Sequence, residues 1–298
     1  MTGGLAVAMM ELMSFDSRMP AWKEELAMTA VAWFLAAYVI YYLLDFAAAQ
    51  IAPKAENRSS MRRVVTLVVL GILAIALFLI NDRDVTIMIG ALGLVIALVG
   101  GIDAATEPTQ HLSIITLPFV KRGWLGKCVG RLLYPGWHTG LNFMVLIWVI
   151  GWGFHYYHYY SERTGDIRFT ANYLVWMGKV FFGLWVVYAF LPRLKPTLVA
   201  LVIVLIVAQT LGYMWASAAD QWEIPALRAL AYFSPFAPMY EGSLNHRDLW
   251  NPTIQALVFL LLLARRARRE FAITRQMEAQ VQADLADEKQ SQFEASAA

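Results

Sequence analysis

Residues 64–80 carry no charged side chain, and after the turn Asn81-Asp82-Arg83-Asp84 a second uncharged apolar run returns over 85–101. About 20 apolar residues make one helical crossing of a bilayer, and backbone at that depth must satisfy its own N–H and C=O groups. Two such runs joined by a short polar turn predict a hairpin of two membrane helices. Further apolar runs over 26–51, 140–154, 171–191, 197–215 and 251–264 extend the pattern. The chain is 59% hydrophobic and 15% charged, against roughly 25% charge in soluble domains. The expected fold is an all-α, polytopic membrane helix bundle of seven spans, with lipid as its surroundings.

Charge sets the expected orientation. Lys54, Arg58, Arg62 and Arg63 stand between the first two spans against one acid, Glu56. Lys121, Arg122, Lys127 and Arg131 lie in the long polar segment 103–138, in which no acid follows Glu107. Arg193 and Lys195 fill the turn after the fifth span, and Arg265, Arg266, Arg268 and Arg269 close the seventh. Seven spans bring all four clusters to one side, and cytoplasmic loops carry the excess of Lys and Arg. The N-terminus is therefore expected outside, the C-terminus inside, and the location a bacterial inner membrane. With a net charge of only +2, clusters at span ends are orientation signals, and no nucleic-acid partner is expected. A single cysteine, Cys128, excludes disulfide frameworks and cysteine-rich metal sites.

The segments between spans differ in character. Residues 1–25 are too polar to cross and read as an interfacial lead-in; 26–51 is an extra N-terminal span ahead of a six-span core over 64–269. The aromatic cluster around His155 and His158 reads as an interfacial belt. Residues 217–250 are broken by Pro225, Pro235, Pro238 and Gly242, and such backbone survives at membrane depth only where protein or a watery cavity satisfies it. Short re-entrant helices at the outer face are expected there, with Tyr232, Phe233, Ser234, Pro235, Phe236 and Pro238 at their centre. The polar tail 270–298 reads as a helix fading into a disordered end.

Within the polar segment, Glu107-x-Thr109 is followed by Leu112, Leu117-Pro118, Arg122 and Leu125-Gly126-Lys127. This order resembles the segment reading R-E-x-G-T, then L-L-x-x-P-v-s-R, then L-G-K in permease subunits of type-2 ATP-binding-cassette exporters. The first elements depart from that pattern, with Ala105-Thr106 before the acid and Pro108-Thr109 for Gly-Thr. The resemblance covers about 64–269 and includes the span order and the Pro-broken outer segment. It implies a coupling loop at 103–138 that docks a separate ATP-binding subunit, a second permease protomer, and ATP and magnesium bound on the partner. Glu107, Leu117, Pro118, Phe119, Arg122, Leu125, Gly126 and Lys127 are the docking residues it implies. Pro118 can open a helix, its missing N–H falling among the unpaired donors of a first turn. One helix over 117–127 is thus expected, with Phe119, Leu125 and Val129 facing a partner and Lys121, Arg122 and Lys127 as rim. A non-transporting membrane scaffold or assembly subunit, whose loop and tail dock a partner, fits the same residues.

No catalytic constellation accompanies these elements. A phosphate-cradling loop needs G-x-x-x-x-G-K-[ST], whereas Gly126-Lys127-Cys128 has Lys121 in place of the first glycine and cysteine in place of the hydroxyl. H-E-x-x-H, G-x-S-x-G and paired intramembrane acids are missing, and the last span has no lysine for a retinal Schiff base. The chain itself is expected to be no enzyme and to hold no cofactor. Two charges sit at span depth. Lys179 lies midway along the fifth span, where a cation costs about 2.5–3.5 kcal/mol, and reads either as a path or gating charge or as a structural partner. Asp45, near the inner end of the first span, carries the same two readings.

Overall fold

The computed structural model describes residues 21–51, 58–79, 83–109, 113–162, 167–191, 197–221 and 250–297, and among these the chain is helical with no strand. The helices are α1 (Ala21–Ile51), α2 (Arg58–Leu79), α3 (Arg83–Thr106), α4 (Ser113–Val120), α5 (Gly123–Leu133), α6 (Trp137–Glu162), α7 (Ile167–Phe190), α8 (Thr197–Gln221) and α9 (Trp250–Ala297). Four are long and apolar enough to cross a membrane, over Arg58–Phe78, Val85–Thr106, Thr170–Phe190 and Leu198–Trp215. All-helical among its described residues, the molecule is an integral membrane protein. α1 holds a shorter apolar stretch, Thr29–Asp45, and the runs 140–154 and 251–264 lie inside α6 and α9.

Several boundaries depart from the apolar runs. α2 begins at Arg58, before its uncharged stretch, because Arg62 and Arg63 are buried in the protein rather than left in a polar loop. α3 continues to Thr106, so the long connection opens at Glu107, not at Asp103. α8 continues to Gln221 into the segment read as broken, its Ala-rich end being a good helix former. The tail does not fade into disorder: α9 is helical to Ala297, with Glu278 and Val281 buried along it. The lead-in 1–20 and residues 222–249, including Tyr232, Phe233, Ser234, Pro235, Phe236 and Pro238, lie outside the described residues.

The chain forms two compact units. In the first (Met1–Ala105, Thr109–Arg163 and Glu278–Ala298), α3 and α6 run antiparallel at close range. A Cβ on Gly93 would meet the Phe154 ring at 3.0 Å, one on Gly101 the Trp148 indole nitrogen at 2.6 Å, and one on Gly140 the Ala104 carbonyl, far inside van der Waals contact. Lipid tails are as apolar as leucine, so close backbone approach at small residues, not apolar burial, holds such helices together. Glycine and alanine on α3 therefore face Met144, Ile147, Trp148 and Phe154 on α6, all buried. In the second unit (Thr106–Pro108 and Thr164–Met277), α7 and α8 are antiparallel, with Gly183 against Leu201 and Lys179 against Gln209. α9 lies parallel to α7, Gly178 beside Ala256 and Phe182 on Phe259 at 5.1 Å between ring centroids.

Candidate functional site: a helical hairpin between two helices

The segment between α3 and α6 folds into two short helices, not one. Pro118 sits inside α4, near its end; a proline there removes one backbone bond and crowds the preceding turn. α4 stops two residues later, with the Lys121 N–H donating to the Leu117 carbonyl at 3.0 Å and the Arg122 N–H to the Phe119 carbonyl at 3.1 Å. Gly123 follows at φ +72°, a left-handed conformation that costs a side-chain residue about 1–2 kcal/mol. The chain reverses and α5 packs back on α4. At the crossing, a Cβ on Gly126 would run into the Phe119 carbonyl and meet the Arg122 Cβ at 2.7 Å. The glycine of Leu125-Gly126-Lys127 thus has a local reason: the two helices touch backbone to backbone there. Gly126→Ala is expected to open the hairpin, at a cost of about 1–3 kcal/mol for a forced overlap. Hydrogen exchange should then accelerate across 113–133 while the amides of α3 and α6 keep their protection.

The sides of α5 differ. Gly126, Gly130 and Leu133 are buried, whereas Leu125 (68% exposed), Val129 (48%) and, at the start, Trp124 (75%) stand open beside exposed Lys121 and Arg122. Phe119 does not join this open face as expected. It is half-buried, its ring edge-on to Tyr134 at 5.3 Å. Lys127 leaves the expected rim as well, its ammonium donating to the Gln282 side chain at 2.6 Å. Burial, then the charge of Glu278, push the Tyr134 hydroxyl above its ordinary value, so it stays neutral under the hairpin. Leu117 is half-buried, Pro118 exposed, and Glu107 is buried and belongs to the second unit.

The hairpin is fastened to the helices behind it by Arg63, only 2% exposed. Its guanidinium donates to the carbonyls of Leu132 (2.8 Å), Gly136 (3.2 Å) and Ala104 (3.4 Å) and to the Thr139 hydroxyl (3.2 Å), and lies over the Phe143 ring at 5.7 Å. The last carbonyls of a helix have no partner of their own, and cations are favoured at that end. Arg63 on α2 thereby closes the C-termini of α3 and α5 at once. The Ser60 hydroxyl adds a bond to the Leu133 carbonyl. Next to it on α2, Arg62 bridges Asp45 (3.3 Å) and Asp103 (3.2 Å), and Arg58 reaches Asp45 at 3.6 Å. Asp45 is held in this chain of charges across α1, α2 and α3.

Lys179 is 2% exposed, and its ammonium donates to the Gln209 side-chain oxygen at 2.5 Å. Among the described residues no group of three or more metal-ligating side chains comes together.

These features define a helical membrane protein whose long polar connection is a compact, tethered hairpin with an open apolar face. No protein-family model, curated protein or solved structure matches the chain. Residue patterns alone missed Arg63, Trp124 and Glu278. Arg63 read only as an orientation charge, and nothing local distinguishes it from Arg62. A signal for Glu278 existed: it opens a helical i, i+3, i+4, i+7 series with Val281, Gln282 and Leu285.

Proposed function

We propose that this chain is the permease subunit of an ATP-driven exporter of the type-2 ATP-binding-cassette kind. It crosses the membrane seven times, N-terminus outside and C-terminus inside, pairs with a second permease protomer, and couples to a separate ATP-binding subunit that holds ATP and magnesium. The observation that carries this reading is the α4–α5 hairpin: Trp124, Leu125 and Val129 stand open, with exposed Lys121 and Arg122 beside them, while Arg63 ties its far end to α2 and α3. A partner pressing on the open face would move the hairpin as a body, and the arginine would pass that displacement to the membrane helices. Open apolar anchors with charges beside them suit a docking surface, the anchor supplying affinity and the charges steering approach. The antiparallel α3/α6 and α7/α8 and the parallel α7/α9 agree with the up-down order of seven spans. Lys179, buried on α7 with an amide as its described partner, is the candidate path or gating charge; Asp45, in the first unit, is paired with Arg58 and Arg62.

Leu125→Asp tests the docking. Because Leu125 is 68% exposed, the change leaves the hairpin's packing intact and places an unpaired charge in the proposed contact. Co-purification of a P-loop ATPase from native membranes, and its stimulated hydrolysis, should fall at least about tenfold, the scale of losing one interface anchor. Membrane insertion should be unchanged. If the altered chain still carries a fully stimulated ATPase, or the unaltered chain carries none, the non-transporting scaffold replaces the exporter.

A further inference from the structure

Beyond Met277 the chain has five acids (Glu278, Asp284, Asp287, Glu288 and Glu294) and one base, Lys289. The hairpin it meets carries Lys121, Arg122, Lys127 and Arg131. Both belong to the first compact unit. Among the described residues, two side-chain cross-connections set the register between them. The Arg131 guanidinium grips the Glu278 carboxylate at 2.8 Å to one oxygen and 3.4 Å to the other, and the Lys127 ammonium donates to Gln282 at 2.6 Å. Lys127 and Arg131 are one turn apart on α5, and Gln282 and Glu278 are one turn apart on α9, in the opposite sense. Two rungs at matched spacing place the helices side by side and antiparallel. Val281, between the rungs, is 4% exposed and Glu278 itself 3%.

We propose that the end of α9, residues 278–297, is a strap that holds the coupling hairpin in its seat, and that its release is a control point on the hairpin's position. The geometry separates the strap from the docking face. On α5 the strap takes the side of Lys127 and Arg131, the core takes Gly126, Gly130 and Leu133, and Leu125 and Val129 stay open. The strap braces the hairpin without covering its open face. Its central contact is a fork-to-fork ion pair, the strongest geometry for a guanidinium and a carboxylate, and one partner is buried. Losing Arg131 would leave the Glu278 carboxylate buried and uncompensated, which drives the helix off its seat. The outer rung is exposed and gives way first, so release starts from the C-terminal end.

Cys128, the only cysteine, lies half-buried on α5 between the two rungs and reports on the seat. Full-length protein in lipid nanodiscs is labelled with a maleimide, and hydrogen exchange over 113–133 is followed in parallel. Glu278→Gln, Arg131→Gln and a chain ending at Met277 should each raise both rates by about tenfold, the scale of removing one partner of a buried, hydrogen-bonded pair. In the double variant R131Q/E278Q the increase should fall short of the product of the two single effects, because the two side chains act as one unit. Equal rates in the wild type, E278Q and the shortened chain would overturn the strap, as would fully multiplicative effects of the two substitutions. If the shortened chain does not insert, the point variants and their double decide. The measurement needs no ATPase, so a strap found without a docking partner would leave the strap standing and remove the exporter reading, and the reverse holds equally.

Discussion

Gly140→Ala is expected to destabilise the protein by at least about 3 kcal/mol, the upper range for an overlap forced into a packed interface. A methyl group there would fall inside the Ala104 carbonyl and lie 2.9 Å from the Ala105 amide nitrogen. Both are backbone atoms, so no side chain can swing aside; α3 and α6 must separate along the seam where Gly101 and Trp148 also meet. The same region supplies its control. Gly153, on the same helix, has nothing within 4 Å of where its Cβ would stand, so Gly153→Ala should be neutral or stabilising by up to about 1 kcal/mol from helix propensity alone. Unfolding curves in mixed micelles read both. A G140A chain as stable as G153A would show that α3 and α6 are not in backbone contact.

Arg63→Met is expected to cost about 3 kcal/mol, since a side chain of similar length with no donors strands buried carbonyls at roughly 1–3 kcal/mol each, with partial relaxation. The carbonyls of Leu132 and Ala104 would lose this donor, while the Gly136 carbonyl keeps the Gly140 N–H and the Thr139 hydroxyl keeps its own donation to Gly136. Arg63→Lys keeps the charge but replaces a planar fork of five donors by a single ammonium, so it should recover only part of the loss. Arg63 joins the hairpin's end to α2 and α3, and its variants should therefore also loosen 123–139 in hydrogen exchange before the rest of the first unit. A change below about 0.5 kcal/mol in R63M, the range of ordinary surface substitutions, would mean the carbonyls find water instead.

How far the site could be read from its residues depends on the kind of residue. The segment between α3 and α6 stands out as a polar, basic interruption among apolar runs, and Leu125, Lys121 and Arg122 are exposed in it. Phe119 is not on that surface, because the left-handed residue at Gly123 rotates everything before it relative to α5, and Lys127 is not, because two residues on from Leu125 it sits on another side of α5, where it meets Gln282. A glycine in a Gly-Trp-Leu-Gly sequence does not say which of its neighbours is the turn. Pro118 misled similarly. Proline is tolerated at a helix start, yet here it lies near the end of α4, where Ser113 and the residues after it had already begun the helix.

What the residues alone determined is the medium and the class: uncharged runs such as 64–80 cannot be hidden in a small soluble core, and their backbone must pair with itself, so helices in a membrane follow from length and composition. The places where α3 and α6 touch were not determined that way, since a glycine with open space beside it, such as Gly153, and one facing a carbonyl, such as Gly140, have the same letter. Nor were the partners of the charges. Hydropathy counts a charge without direction, and only the fold aims Arg63 at carbonyls from α3 and α5, Arg62 at two aspartates, and Arg131 at an acid 147 positions further along the chain. Contacts over that separation depend on how helices lie beside one another, and that is decided by packing after the helices have formed.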